Sequence, residues 1–490
     1  MTAEARHDAH DAHAERAVPH GDDPWHKVYE ALDDEHDYEV REIEGRLPEG
    51  LAGTLYRNGP GRWRVGESLL DHIFDGDGML SLFAFPGDGR IHYRNRYVRT
   101  RHYRYGQRHG RVGLRGLGTQ RPGGMLGNML RPPANVANTG VVLHGGQLLA
   151  LWEGGRPFRL DPDSLETYGE HSFGGRLKVM SAFSAHPSRC PDTGELFNFG
   201  MDFTRARSLR CYRVDARGRL HHLPRISLPY SPWNHDFALT RRHLVFVVNP
   251  VIPKAAQILL GTGSIADGLS YEPHRPTCFT IVPRYGGRAR VIEHEALLGF
   301  HFVNAFEDGD DIVVEFVRFA DWEQVSTAFR DFRTSDFPWG CALMRYRVKA
   351  SGAVEEEQVC ALPMELPHSD VRQAGRPHRY TYFAGRTESS TGIHAYDHAT
   401  GRRAVHELPP GHGFGEPVFV PREPGAAEGD GWLLTLAYDP DEHRSRLLVL
   451  DARDVEAEPV AVARLRHHIP MGFHGSFTRR IARTPGPRPA

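Results

Sequence analysis

LFAFPGDGRIHY, residues 82–93, holds a short alternating strand, a turn of Pro, Gly and Asp, and a second strand. The alternation gives each half one buried face, and the turn residues mark the reversal between them. The same design returns six more times along the chain. PFRLDPDSLETY begins at Pro157, CYRVDARGRLHH at Cys211, CFTIVPRYGGRARVI at Cys278, MRYRVKASGAVE at Met344, IHAYDHATGRRAV at Ile393 and LLVLDARDVEAEPV at Leu447. Successive starts lie roughly 50 to 75 residues apart, longer than one hairpin and suited to a four-stranded blade with its loops. Between the hairpins run QLLALWE, HLVFVVNPV, DIVVEFVRF and GWLLTLAY, which suit buried inner strands. Seven blades are expected, although an irregular β-sandwich or two smaller β-domains could use the same hairpins.

Four histidines decide between these folds. His186 stands in SAFSAHP, His235 in WNHDF, His301 in FHFVNAFED and His474 in MGFHGSF. They are too far apart in sequence for any helix or loop to present them together, so they meet only where distant segments converge. A closed, cyclic fold provides such a point, and the all-β, seven-bladed propeller is the expected architecture.

Composition sets limits. The 490 residues would ordinarily suggest several domains, but a propeller of this size is one closed unit. The formal net charge of −2 offers no field to recruit nucleic acid or an anionic membrane. The five cysteines, Cys190, Cys211, Cys278, Cys341 and Cys360, are odd in number and include no CxxC pair, which points to a reducing, cytoplasmic setting without disulfides. Residues 1–22 are polar and histidine-bearing and read as a disordered arm, residues 23–480 as the single propeller domain, and residues 481–490 as a flexible Pro-rich tail. No apolar run approaches the roughly 18 to 20 residues needed to span a bilayer, so a soluble protein is expected.

An all-imidazole set suits Fe, Zn, Cu or Ni, and with no cysteine in any of the four cassettes iron or copper leads. Neutral imidazoles leave the ion's charge uncompensated, so carboxylates are needed to accept the outward ring N–H groups. Glu153 in LALWEGG, Glu365 in PMELPHSD and Glu416 in FGEPVFVP lie among apolar or proline-rich neighbours, unlike most acidic residues of the chain.

The same strings carry a resemblance from end to end. LYRNGPGRW at Leu55, HIFDGDGML, NRYVRT, NVANTGVV, LALWEGG, SAHP, HDFALT, FVNAFED, GRPHRYTY, EPVFVPR and GFHGSF follow in order, and in this the chain resembles the carotenoid cleavage oxygenases. The resemblance implies a seven-bladed propeller capped by a dome of loops and short helices, with one Fe(2+) per chain on its axis. Residue by residue, it makes His186, His235, His301 and His474 the iron ligands and Glu153, Glu365 and Glu416 the carboxylates behind three of them. Thr139 in NVANTGVV matches the position whose methyl shields one of the two coordination sites left open. The implied reaction uses O₂ to cleave a C=C bond into two carbonyls, with no 2-oxoglutarate and no haem. Two open sites are too few for an oxoacid plus O₂. The family's EFP motif reads ELP here, so Leu366 alters the cavity wall beside Glu365.

Such chemistry asks the protein for orientation and exclusion of water. Trp152, beside Glu153, and Phe300, beside His301, are expected to line the channel. An apolar carotenoid or apocarotenoid is the expected substrate. The stretch around 251–262, with Val251, Ile252, Ile258, Leu259 and Leu260, reads as a patch for peripheral membrane contact through which a lipid-dissolved substrate could enter. The alternative is a hydroxystilbene or phenylpropene cut to aromatic aldehydes. A lysine for its phenol would be sought just before Asn135, where Ala134 stands, while Tyr103 and Tyr105 could still serve a phenolic ring. A polyene isomerase or carrier keeping the same iron ligands is the third reading. Neither nucleic acid nor an obligate protein partner is expected.

Overall fold

The computed structural model describes residues 23–201, 207–337, 340–387 and 391–484. The expected N-terminal arm, 1–22, and the tail beyond 484 lie outside the described residues. Seven sheets of four to six strands form a seven-bladed propeller. Each hairpin expected from the sequence supplies the third and fourth strands of one blade, as Asp77–Phe85 with Ile91–Tyr97 in the first and Arg444–Asp451 with Ala461–Arg464 in the seventh. The apolar runs become second strands, among them Asp311–Phe319 and Gly431–Asp439.

The innermost strands are Gly475–Thr478 in blade one, then Gly140–His144, Ser188–Arg189, Ala238–Leu239, Leu298–Asp308, Met364–His368 and Gly413–Phe414 in blades two to seven. Both ends of the chain close the ring. Gly475–Thr478 pairs antiparallel with Gly53–Arg62, so the last strand of the chain completes the first blade. On the outside, Asp37–Val40 joins blade one and Glu42–Gly45 joins blade seven.

Packing follows from this geometry. The second strands are buried along almost their whole length, whereas an outer strand such as Val354–Cys360 is largely exposed. Seven apolar clusters fill the seven spaces between neighbouring blades. In one, Phe199 of blade three meets Phe246 of blade four edge to face at 5.3 Å. An eighth cluster joins Val28, Tyr29, Trp63, Phe332 and Phe473 in the dome over the axis. Among the described residues four short α-helices, α1 (Arg101–His109), α2 (Gly124–Asn128), α3 (Ala255–Leu260) and α4 (Trp322–Arg330), lie in excursions between strands.

Two expectations change. The chain does not become a free tail at residue 481, because Ala482 is 2% exposed and its N–H donates to Thr54 Oγ1 at 2.8 Å, while Arg480 pairs with Asp163. The apolar patch is also differently composed. Val251 is buried in a short strand with Ile252 half-buried, whereas Leu259 and Leu260 at the end of α3 are 52% and 50% exposed. Beside them, Leu126 and Leu130 at and after α2 are 76% and 70% exposed, and the Leu130 N–H donates to the Leu259 carbonyl at 2.8 Å. Among the described residues no helix is long and apolar enough to cross a membrane.

Candidate metal centre

Each of the seven innermost strands delivers one side chain at or beside its axial end. In blade order these are His474, Thr139, His186, His235, His301, Glu365 and Glu416. One imidazole nitrogen from each of the four histidines lies within 4.8 Å of the other three. A metal held at 2.0–2.1 Å by imidazole nitrogens places neighbouring nitrogens about 3 Å apart, and His235 Nε2 and His301 Nε2 are 3.0 Å apart.

The outward nitrogens explain why these lone pairs face inward. His301 Nδ1 donates to Glu365 Oε2 at 2.5 Å, His474 Nδ1 to Glu416 Oε1 at 2.9 Å, and His235 Nδ1 to Glu153 Oε1. With the ring hydrogen committed to a carboxylate, each neutral imidazole turns an unprotonated Nε2 toward the axis. His186 Nε2 is buried without a hydrogen-bond partner among the described residues. Such an arrangement of facing lone pairs needs a cation or a proton between them, and its donor set fits a transition-metal ion.

A second cluster shows the contrast. Glu315, His378 and His398 also gather metal-type atoms, but Arg345 donates to His398 Nδ1 at 3.1 Å and Asn304 to His378 Nδ1 at 3.3 Å. The neutral rings therefore carry their hydrogens on Nε2, both in reach of the Thr381 hydroxyl. This is a hydrogen-bonded network between blades five and six, in which neither ring has a lone pair to offer a metal.

Local backbone irregularities aim the axial groups. The pairing of Leu298–Asp308 with its neighbour shifts register on both sides of Phe302, next to His301. Met364–His368 shifts register after Glu365, and Leu366 adopts a left-handed φ of 52°, a conformation that costs roughly 1 kcal/mol for a residue with a Cβ. That bulge lets the Glu365 carboxylate accept from the Leu366 N–H as well as from His301. Glu416 likewise accepts from the Gly475 N–H at 2.7 Å.

Charges balance around the centre. Burial and the three surrounding imidazoles hold His186 well below the ordinary histidine range. Burial also keeps His235 low against the pull of Glu153. His301, which burial alone would lower, is raised by Glu365 beside it. Glu416, which burial alone would push up, is drawn down to about 2 by His474 and Arg57. Burial pushes Asp236 up to about 7 despite the amides that donate to it.

LYRNGPGRW gains a purpose here that its sequence did not disclose. Arg57 donates to the Glu416 carbonyl at 2.7 Å and stands 3.5 Å from its carboxylate. Asn58 donates to the carbonyls of Ala137 and Gly140 on either side of Thr139. A Cβ on Gly59 would sit 2.4 Å from the Gly472 Cα, so only glycine lets this strand approach the His474 segment.

A cavity of about 290 Å³ leads away from His235, His301, His474 and Thr139. The Thr139 hydroxyl donates to Asn138 Oδ1 at 3.0 Å, leaving its methyl as the free part of the side chain. Leu366 lines the cavity, and the other expected wall residues lie elsewhere. Phe300 stacks on the His235 ring at 4.1 Å and 13° and lines a smaller adjoining pocket. Trp152 is buried in a β-bridge to Phe183, outside the cavity lining. Tyr103, on α1, stacks on Tyr97 between the guanidinium groups of Arg62 and Arg99, away from the cavity. Its walls are instead Trp25, Tyr29, Phe74, Phe329, Phe332 and Phe473, with further aromatic rings. Phe473 directly precedes His474, the same adjacency that drew attention to Phe300, and is the one of these that sequence reading could have found.

Comparison with known proteins agrees with this geometry. The sequence profile of the family described as retinal pigment epithelial membrane protein matches residues 29–479. The chain is 38% identical over 476 residues to an apocarotenoid-15,15'-oxygenase from Synechocystis sp., covering 93% of this chain and 96% of that one. It is 30% identical over 462 residues to an isoeugenol monooxygenase from Pseudomonas nitroreducens, covering 90% and 94%. The crystal structure of cobalt-substituted Synechocystis apocarotenoid oxygenase superposes with a TM-score of 0.88 at 36% identity, covering 93% of this chain and 98% of that one.

Proposed function

This chain belongs to the carotenoid cleavage oxygenase family, and from that premise we propose that it cleaves a conjugated C=C bond of an apocarotenoid with O₂ to give two carbonyl products. It is an oxygenase of the carotenoid-cleaving type. The observation that carries the substrate reading is the aromatic cavity that opens on three of the four converging imidazoles, in a chain 38% identical to an apocarotenoid oxygenase.

His186, His235, His301 and His474 would hold Fe(II), with Glu153, Glu365 and Glu416 fixing three of the rings. Bound there, Fe(II) supplies the one-electron chemistry that lets ground-state O₂ react with an alkene. The protein's own part is positional. Apolar rings along the cavity hold a conjugated chain and keep water out. The Thr139 methyl narrows the space beside the double bond, and both oxygen atoms of O₂ leave in the two carbonyls, so no external reductant is consumed.

A phenolic substrate is less favoured, since among the described residues no lysine lines the cavity. The exposed leucines of α2 and α3 support a route for the substrate from a lipid surface.

The test is chromatographic analysis after aerobic incubation of Fe(II)-loaded protein with an apocarotenal in detergent, the same apocarotenal in liposomes, and isoeugenol. A shorter polyene aldehyde from the apocarotenal tubes alone is expected, and aromatic aldehyde from isoeugenol alone would transfer the assignment to the phenolic branch. Leu126→Asp with Leu259→Asp is expected to slow only the liposome reaction.

A further inference from the structure

The four rings come from four different blades, His301 from within an innermost strand and the other three from just ahead of one, and within the described residues no ladder joins the innermost strand of blade four to that of blade five. The glutamates fix how three of the rings are turned, but they do not set the distance between the backbones of His235 and His301. Something else must, because the facing nitrogens of these two rings stand only 3.0 Å apart.

Asp236 lies directly after His235 and is buried. Its Oδ1 accepts from the Phe237 N–H at 2.7 Å, and its Oδ2 accepts from the Phe302 N–H at 2.9 Å. Phe302 directly follows His301, at the point where the blade-five strand shifts register. The irregularity presents that amide to the neighbouring blade, and the Asp236 carboxylate takes it. One side chain therefore ties the backbone at His235 to the backbone at His301. Asp236 Oδ1 also stands 3.9 Å from His186 Nδ1, the one ring of the four that faces no glutamate.

Ser184 repeats the device one blade earlier. Its hydroxyl accepts from the His186 N–H at 3.2 Å and donates to the His235 carbonyl at 3.3 Å. Three consecutive ligand segments are thus clasped to one another by two side chains, neither of which reaches the axial nitrogens.

We propose that Asp236, seconded by Ser184, is a positioning residue that holds the ligand strands of blades three, four and five at metal-binding spacing. This rests on the four-histidine reading of the centre. A buried carboxylate accepting two backbone N–H groups is a strong, short clasp, and it ties the backbone right beside the two rings, whereas the other bonds between these blades lie farther along, at Asn249 with Gly299 and at Thr240 with Glu307.

Co(II) binding to metal-stripped protein tests it through the titrated affinity and the visible ligand-field spectrum. Asp236→Ala is expected to weaken Co(II) at least 10-fold and to shift the bands. Asp236→Asn, isosteric but able to accept only one of the two amides, is expected to fall between it and the parent. Ser184→Ala is expected to give a smaller shift in the same direction. Asp236→Asn protein that binds Co(II) with the parent's affinity and spectrum, whatever its melting temperature, overturns the proposal. Parent protein whose Co(II) spectrum survives His301→Ala would instead refute the four-histidine reading, so the two failures are distinct.

Discussion

Glu365 accepts two hydrogen bonds through one oxygen, from His301 Nδ1 and from the Leu366 N–H. In Glu365→Gln one amide oxygen must still serve both donors, the negative charge is gone, and the new NH₂ has no acceptor role. Metal affinity is expected to fall about 10- to 100-fold with the fold intact, as read by calorimetric titration and circular dichroism. An unchanged affinity would mean that His301 is held without it. Residues of this kind were legible because each sits in a short, compositionally unusual cassette. Asp236 and Arg57 were equally visible as letters, but their meaning depends on which backbone amide or carbonyl of another blade they meet. The aromatic wall was hidden for a related reason. A phenylalanine facing a cavity and one facing a core leave the same mark on a sequence, and Phe329 and Phe332 follow the ordinary apolar spacing of α4 and its loop.

At the level of strands, the outer hairpins were readable because their two halves are long enough to show alternation and are divided by turn residues. Three of the innermost strands were not, since Ser188–Arg189, Ala238–Leu239 and Gly413–Phe414 have two residues each and display no period. They are found through what they carry. The ring-closing strand Gly475–Thr478 is likewise invisible as a pattern, yet it pairs four residues of Gly53–Arg62 and supplies the Gly475 N–H to Glu416. Truncation after His474 keeps the histidine and removes this strand, leaving the long buried strand Gly53–Arg62 with an open edge. The loss should reach several kcal/mol, about 10 °C or more in melting midpoint, with a tendency to aggregate. Differential scanning calorimetry checks it, and a midpoint within about 2 °C of the full chain would show that the ring stays closed without the strand.

Across the whole molecule, the spaces between blades are sealed tightly enough to keep histidines neutral well below their ordinary range. Burial lowers His378, His394, His398, His467 and His468 to about 4 each. An unfolded chain would protonate them near 6.5, so their neutrality is free above that pH and becomes a cost as pH falls from 6.5 toward 4. Each contributes about 1.4 kcal/mol per pH unit within that window. Carboxylates act later. Glu307 is held at about 2 by His243 and Thr240 against its burial, as Glu416 is by His474 and Arg57, and their stabilisation is lost only as pH drops from about 4.5 toward 2. Acid unfolding of the metal-free protein should therefore begin near pH 6, driven by histidines at the blade interfaces, before any paired carboxylate titrates. Urea midpoints measured from pH 7.5 to 4.5 are expected to fall steeply below 6.5. Replacing His378 and His398 together by asparagine should flatten that fall by about two protons, because the network joining Glu315, Arg345 and Thr381 would then hold nothing to protonate in the unfolded chain. A fall that begins only below pH 4.5 would mean that the interfaces admit enough water to let these rings charge in the folded ring.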